Sequence, residues 1–120
     1  MTKRKETTME TEFRIAATQA WADVLAERTR QIEAEGWTPE HDDEHPNGCM
    51  ATASACYALA AAAQSPDSNL SWRTRFANAA NELWPWDREW WKPATPRRML
   101  VKAAALLLAE IERLDRRAAG

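Results

Sequence analysis

The residues best suited to chemistry are concentrated in one short segment, EGWTPEHDDEHPNG, at positions 35–48. It contains both histidines of the chain, with three acidic residues in a row between them. Imidazole nitrogens and carboxylate oxygens so close together could hold zinc, manganese or magnesium. The candidate metal ligands are His41, Asp42, Asp43 and His45. The same groups could instead bind a polar ligand or act in acid–base chemistry. A structural interpretation also stays open, since carboxylates just before a helix N-terminus are stabilised by its dipole.

A second segment, WPWDREWW at 84–91, holds four of the seven tryptophans. Indole rings stack on bases, and Lys or Arg near a helix N-terminus can hold phosphate, so together they would suit a nucleotide. The tryptophans could instead plug the end of a helical bundle or pack against a partner, with the arginines solvated or paired with Asp87 and Glu89. The candidate ligand-binding residues of the two segments are Trp37, His41, Asp42, Asp43, His45, Trp86, Trp90, Trp91, Lys92, Arg97, Arg98 and Lys102.

Apolar spacing and capping signals predict that these segments are carried by an all-α chain. Helices are expected over 9–35, 47–64, 71–83 and 96–117, with Thr95 as the N-cap of the last one. No strand-like alternation or hairpin signal is present. We therefore expect a compact bundle of three long helices and one short one, with two structured loops. Residues 9–120 would form a single domain after a disordered tail at 1–8.

Two helices carry regular apolar stripes of the kind that packs against other elements. In the first helix the stripe consists of Phe13, Ala17, Trp21, Leu25 and Ile32. In the last helix it consists of Leu100, Ala104, Leu107, Ile111 and Leu114. The histidine and tryptophan segments each precede a helix, so they would meet in one pocket if those two helices run parallel.

Composition limits the partners and the compartment. With 120 residues and a net charge of −2, the chain has neither the positive field that nucleic acid requires nor an apolar run that could span a membrane. Cys49 and Cys56 lie roughly 10 Å apart along one expected helix, too far for a disulfide, which favours a reducing cytoplasm. The alanine-rich helix over 47–64 would bury little area in a monomer, so we expect a homodimer or larger assembly.

The motifs ERTRQIEAEGWTPEHDDEH and WPWDREWWKPATPRRMLVKAAALLLAEIERLDR resemble a family of small proteins encoded by tailed phages and prophages, over about residues 24–116. In that family a Gly-Glu-Leu follows the histidine segment, whereas this chain has Gly48, Cys49 and Met50. The glutamate that could have been a further metal ligand is therefore missing. The resemblance implies a protein acting in the cytoplasm of a host cell.

Two further likenesses concern nucleotides. The all-α arrangement resembles MazG-like nucleoside triphosphate pyrophosphohydrolases of phages, whose magnesium is held by paired acidic motifs that this chain lacks. GWTPEHDDEHP is similar to part of the ryanodine-receptor-type repeat domains, although the usual Tyr-Gly after GW is absent.

Three hypotheses follow for the function. The favoured one is a phage-encoded binding protein that captures a nucleotide-derived small molecule, such as a host immune signal, without a cofactor. The alternatives are a nucleoside phosphate pyrophosphohydrolase that uses a divalent metal, and a structural or interaction protein.

Overall fold

The computed structural model describes residues 7–120 and confirms the all-α class. Its six α-helices are α1 (Thr8–Ala16), α2 (Gln19–Glu33), α3 (Pro39–Asp43), α4 (Cys49–Ala63), α5 (Leu70–Leu83) and α6 (Pro96–Ala119). A single 3₁₀ turn, Arg88–Trp90, interrupts the tryptophan segment. No strand occurs within 7–120.

The helix count differs from the expected three long helices and one short one. The first expected helix is divided at Ala17 and Thr18, because the Thr18 side chain accepts a hydrogen bond from the Trp21 amide and starts a new helix. Most of the expected disordered tail lies outside the described residues, while Thr7 caps α1 and Thr8 is its first residue. The start of α6 is confirmed, with Thr95 as N-cap and Pro96 in the first turn.

The core is built around α4, which packs against α5 on one side and α6 on the other. Small residues let α4 and α6 approach closely, and the Ser54 hydroxyl donates to the Ala103 carbonyl at 2.8 Å. The buried apolar cluster contains Ala53, Cys56, Tyr57, Ala61, Ala80, Trp84, Met99, Ala103 and Leu106.

Helix α2 packs on the opposite side of α6, and it does so through polar residues. Glu27, Arg28 and Gln31 are its buried residues, whereas Trp21 and Leu25 of the apolar stripe are exposed. The stripe of α6 is also on the outside, since Leu100, Leu107, Ile111 and Leu114 are each about half exposed. The sequence pattern identified both stripes, but neither faces the core of this chain.

Helices α4 and α6 run antiparallel. Arg116 near the end of α6 bonds Asp43 just before α4, while Lys102 near the start of α6 lies over the ring of Tyr57 in the middle of α4. Among residues 7–120, no helix is both long enough and apolar enough to cross a membrane.

Candidate functional site

The histidine and tryptophan segments meet around one cavity of about 600 Å³. They do so although α4 and α6 are antiparallel, because α5 returns alongside α4 and delivers residues 84–91 to the connection between α3 and α4. Contacts between aromatic rings show that the two segments are adjacent. The ring centroid of Trp86 lies 6.5 Å from that of His45 and 5.5 Å from that of Trp37. The lining residues are Glu35, Trp37, His41, His45, Pro85, Trp86, Asp87 and Trp90.

Trp37 is positioned by the turn that leaves α2. Gly36 has φ +76°, a left-handed conformation that favours glycine, and it directs the chain sharply away from the helix. The Trp37 amide then donates to the Gln31 carbonyl at 2.9 Å. Thr38 caps α3 by accepting from the His41 amide, and Pro39 occupies the first turn. This short helix presents His41 beside the Trp37 ring, and His45 follows two residues after the helix ends.

The two imidazoles form a pair on one side of the cavity. Their centroids are 4.5 Å apart, and the His41 ring lies nearly parallel to Trp37 at 6.5 Å. The Nδ1 atom of His41 contacts Asp42 Oδ1 at 3.3 Å, and that of His45 contacts the His41 carbonyl at 2.9 Å. Since both Nδ1 atoms are engaged, Nε2 is the ring nitrogen that each histidine can offer to a ligand.

Tyr57 anchors the tryptophan segment on the side that faces away from the cavity. Its hydroxyl donates to the Trp90 carbonyl at 3.4 Å and accepts from the Lys92 amide at 3.3 Å. Its ring packs against Trp91 at 4.9 Å and Trp84 at 5.4 Å. Of the four clustered tryptophans, Trp84 and Trp91 therefore pack behind the cavity, whereas Trp86 and Trp90 line it.

Carboxylates and one lysine set the charge of the opening. Glu35 lines the cavity and is bonded by Arg30 at 2.9 Å, and Asp87 is exposed. Lys92 stands beside them, with Nζ 3.7 Å from Glu35 and 5.5 Å from the Trp90 ring centre. Its side chain is 54% exposed, so its contact with Glu35 is solvated and easily exchanged.

Two of the predicted site residues, Asp42 and Asp43, do not line the cavity, and each is bonded to a different arginine. Asp42 is buried and accepts from Arg28 at 3.4 Å, and burial raises the pKa of its carboxyl group. Asp43 faces α6, where Arg116 donates to it at 2.9 Å. No group of three or more His, Cys, Asp or Glu within 7–120 is placed to hold a metal ion. The four candidate metal ligands therefore do not converge, because arginines hold the two carboxylates elsewhere.

The cations expected to clamp phosphate from α6 are also held elsewhere. Arg97 pairs with Asp23 at 2.8 Å, and Arg98 bonds the buried Glu27. Lys102 donates to the Lys92 carbonyl at 2.9 Å, and burial together with nearby Arg98 lowers its pKa.

Of the predicted ligand-binding residues, the structure brings five to the cavity: Trp37, His41, His45, Trp86 and Trp90. Lys92 stands at its edge, and the other six lie outside its lining. Glu35, Pro85 and Asp87 were not predicted as lining residues, although all three lie within the two segments. Tyr57 gave no local signal, since its role depends on a contact with residues more than thirty positions away.

No family model, curated protein or solved structure matches the chain.

Proposed function

We propose that the chain is a binding protein for a nucleotide-derived small molecule, and that the flat ring of the ligand lies against the indoles of the cavity. The observation that carries this proposal is the grouping of Trp37, Trp86 and Trp90 around one opening, with neighbouring centroids 5.5 Å and 6.3 Å from Trp37. The cavity volume falls within the roughly 300–1,000 Å³ typical of small-molecule sites.

The ring chemistry of the wall supports a base-like ligand. Each stacked base contributes about 1–3 kcal/mol on an aromatic platform, and any flat heterocycle offers the required face. The carboxylates of Glu35 and Asp87 can accept from ring or exocyclic N–H groups. Trp86 Nε1 is buried and makes no hydrogen bond within residues 7–120, so this wall also has a donor that lacks an acceptor.

A phosphate would be held at the edge by Lys92 and the two histidines. Lys92 has one weak partner at 3.7 Å, and its ammonium is already close to the Trp90 ring. The Nε2 atoms of the two imidazoles are the ring nitrogens left to contact a phosphate oxygen. The ion pairs of Arg97 and Arg98 would have to break before these residues could contribute, so we assign them no contact.

Binding without chemistry is favoured over metal-dependent hydrolysis. A pyrophosphohydrolase needs several carboxylates aimed at one ion, whereas Asp42 and Asp43 are each bonded to an arginine, Arg28 and Arg116 respectively. If the resemblance to the phage proteins reflects origin, the protein would sequester a signalling nucleotide in the cytoplasm of the host cell.

Isothermal titration with adenine, AMP, ATP, cyclic dinucleotides, ADP-ribose and inorganic phosphate tests the proposal. Trp86→Leu should weaken binding about 10-fold by removing one stacking surface. The matched control is Trp72→Leu, since Trp72 is exposed on α5 and stacks on Phe76 instead. Lys92→Gln should weaken the phosphorylated ligands and leave adenine unchanged. Absence of binding throughout the panel, or equal losses in the two tryptophan variants, would refute the proposal.

A further inference from the structure

The outer surface of α6 carries an apolar seam that no other element within residues 7–120 covers. Leu100, Leu107, Ile111 and Leu114 are 46–53% exposed, and Ala104 completes the row. Successive members are separated by four, three, four and three residues, which is a period of 3.5. That period is typical of a helix that packs lengthwise against another helix, as in a coiled coil.

The chain exposes more surface than a self-sufficient protein of its size. Its accessible area is 8170 Å², whereas a folded monomer of 13.6 kDa would expose about 6,600 Å². The excess of about 1,600 Å² is roughly twice what one partner buries in an interface of standard size. The radius of gyration agrees, since it is 17.0 Å against about 14 Å expected for a compact domain of this length.

The interior that the chain does form is thin. Alanine is the commonest of its buried apolar residues, and α2 joins α6 through charged groups. Burying alanine removes little area from water, so covering the α6 seam would add apolar burial that this interior lacks. A partner needed for folding must be present whenever the chain is made, and a second copy meets that condition by itself.

We infer that the α6 seam pairs antiparallel with the α6 seam of a second copy, around a two-fold axis near Leu107. Leu100 and Leu114 both lie seven residues from Leu107, so each faces the other across the axis. Ala104 lies three residues before Leu107 and Ile111 four residues after it, so a small residue faces a large one with an offset of one position. One patch then serves both subunits, as a two-fold interface requires.

Sedimentation equilibrium tests the assembly directly. The wild type should have twice the 13.6 kDa mass of the chain from micromolar concentration upwards. Leu107→Asp should shift the mass to that of one chain, or abolish folding if the seam is indispensable. Leu83→Asp is the matched control, because Leu83 is similarly exposed on α5 and should leave the mass unchanged. A monomeric wild type, or a dimeric Leu107→Asp, would overturn the inference.

Cross-linking keeps the inference testable if Leu107→Asp fails to fold. In a Cys49→Ser background, Leu107→Cys places two thiols across the axis, so mild oxidation should give a covalent dimer that reducing agent reverses. Leu83→Cys in the same background should stay monomeric on denaturing gels. Equal cross-linking at both positions would show that the disulfides form by random collision, and it would overturn the proposed pairing of the two α6 seams. None of these outcomes depends on a ligand in the aromatic cavity.

Discussion

Glu27 offers the sharpest test of how α2 is held, because a buried carboxylate there replaces the apolar contact expected from the sequence. It is 2% exposed and receives hydrogen bonds from Arg30 at 2.8 and 2.9 Å, from Gln31 at 3.3 Å and from Arg98. Glu27→Gln keeps the shape of the side chain and removes its charge. We expect this substitution to destabilise the protein.

The size of the loss follows from the exposure of the partners. A hydrogen bond to a charged group contributes about 1.5–3 kcal/mol. Arg30 and Arg98 keep 40% of their side chains in solvent and would recover hydration, so the net loss should be about 2 kcal/mol rather than the full sum. For a domain of this size that corresponds to roughly 8 °C in Tm.

The pKa of Glu27 determines how the stability difference between wild type and Glu27→Gln changes with pH. Burial alone would raise the pKa of Glu27, but the hydrogen bonds and charges of Arg30 and Arg98 outweigh it and hold the pKa below 4.5. A depressed carboxyl pKa adds stability that is complete above the unfolded value and is lost as the pH falls through the folded value. The difference between wild type and Glu27→Gln should therefore be full at pH 7 and shrink below about pH 4.5.

Urea unfolding followed by circular dichroism, at pH 7 and at several acidic values, measures that difference. Glu33→Gln is the control on the same helix, and because Glu33 is exposed it should change stability by less than about 0.5 kcal/mol. Equal stability of wild type and Glu27→Gln at pH 7, or a deficit that stays constant down to pH 3, would refute the reasoning.

Three further outcomes are expected. Asp42→Ala should cost about 3 kcal/mol in urea unfolding because the buried Arg28 loses its bond to the Asp42 carboxylate, whereas Asp42→Asn should cost about 1 kcal/mol because the amide oxygen can still accept from Arg28. Tyr57→Phe should lower stability by about 1 kcal/mol and redshift the tryptophan emission, since the chain at Trp90 loses its anchor. A thiol reagent should label Cys49 in the folded protein but Cys56 only on unfolding, because Cys56 is fully buried and its pKa is raised.

Local signals predicted the elements far better than their arrangement. Thr95 and Pro96 predicted the start of α6, because capping depends on neighbouring residues alone. The division at Thr18 was missed, since an apolar repeat runs across it and only the threonine hydroxyl competes with helix continuation. Five of the eight lining residues were predictable for the same reason, because aromatic and imidazole groups are conspicuous in sequence.

Whether a predicted charged residue reaches the cavity depended on pairings between distant residues. Nothing near Asp43 or Arg97 indicates that Arg116 and Asp23, each more than seventy positions away, hold them. The meeting of the two segments was expected for parallel helices, yet it comes from the return of α5 beside α4. A charged side chain in a sequence is therefore a candidate for ligand binding only until its ion-pair partner is known.

The two apolar stripes were also predicted without the surface that covers them. An apolar stripe in a sequence indicates that one face of a helix is to be buried, but it does not specify whether the same chain or another covers that face. Here α2 exposes Trp21 and Leu25, α6 exposes Leu107, and charged groups occupy the joint between the two helices. If α6 packs against α6 of a second copy, the apolar stripe of α6 is buried as the sequence pattern predicts. The buried Glu27 network then fixes the angle of α2 beside that seam. If it does not, about 1,600 Å² of excess surface stays in water, and a chain with so thin a core should unfold readily.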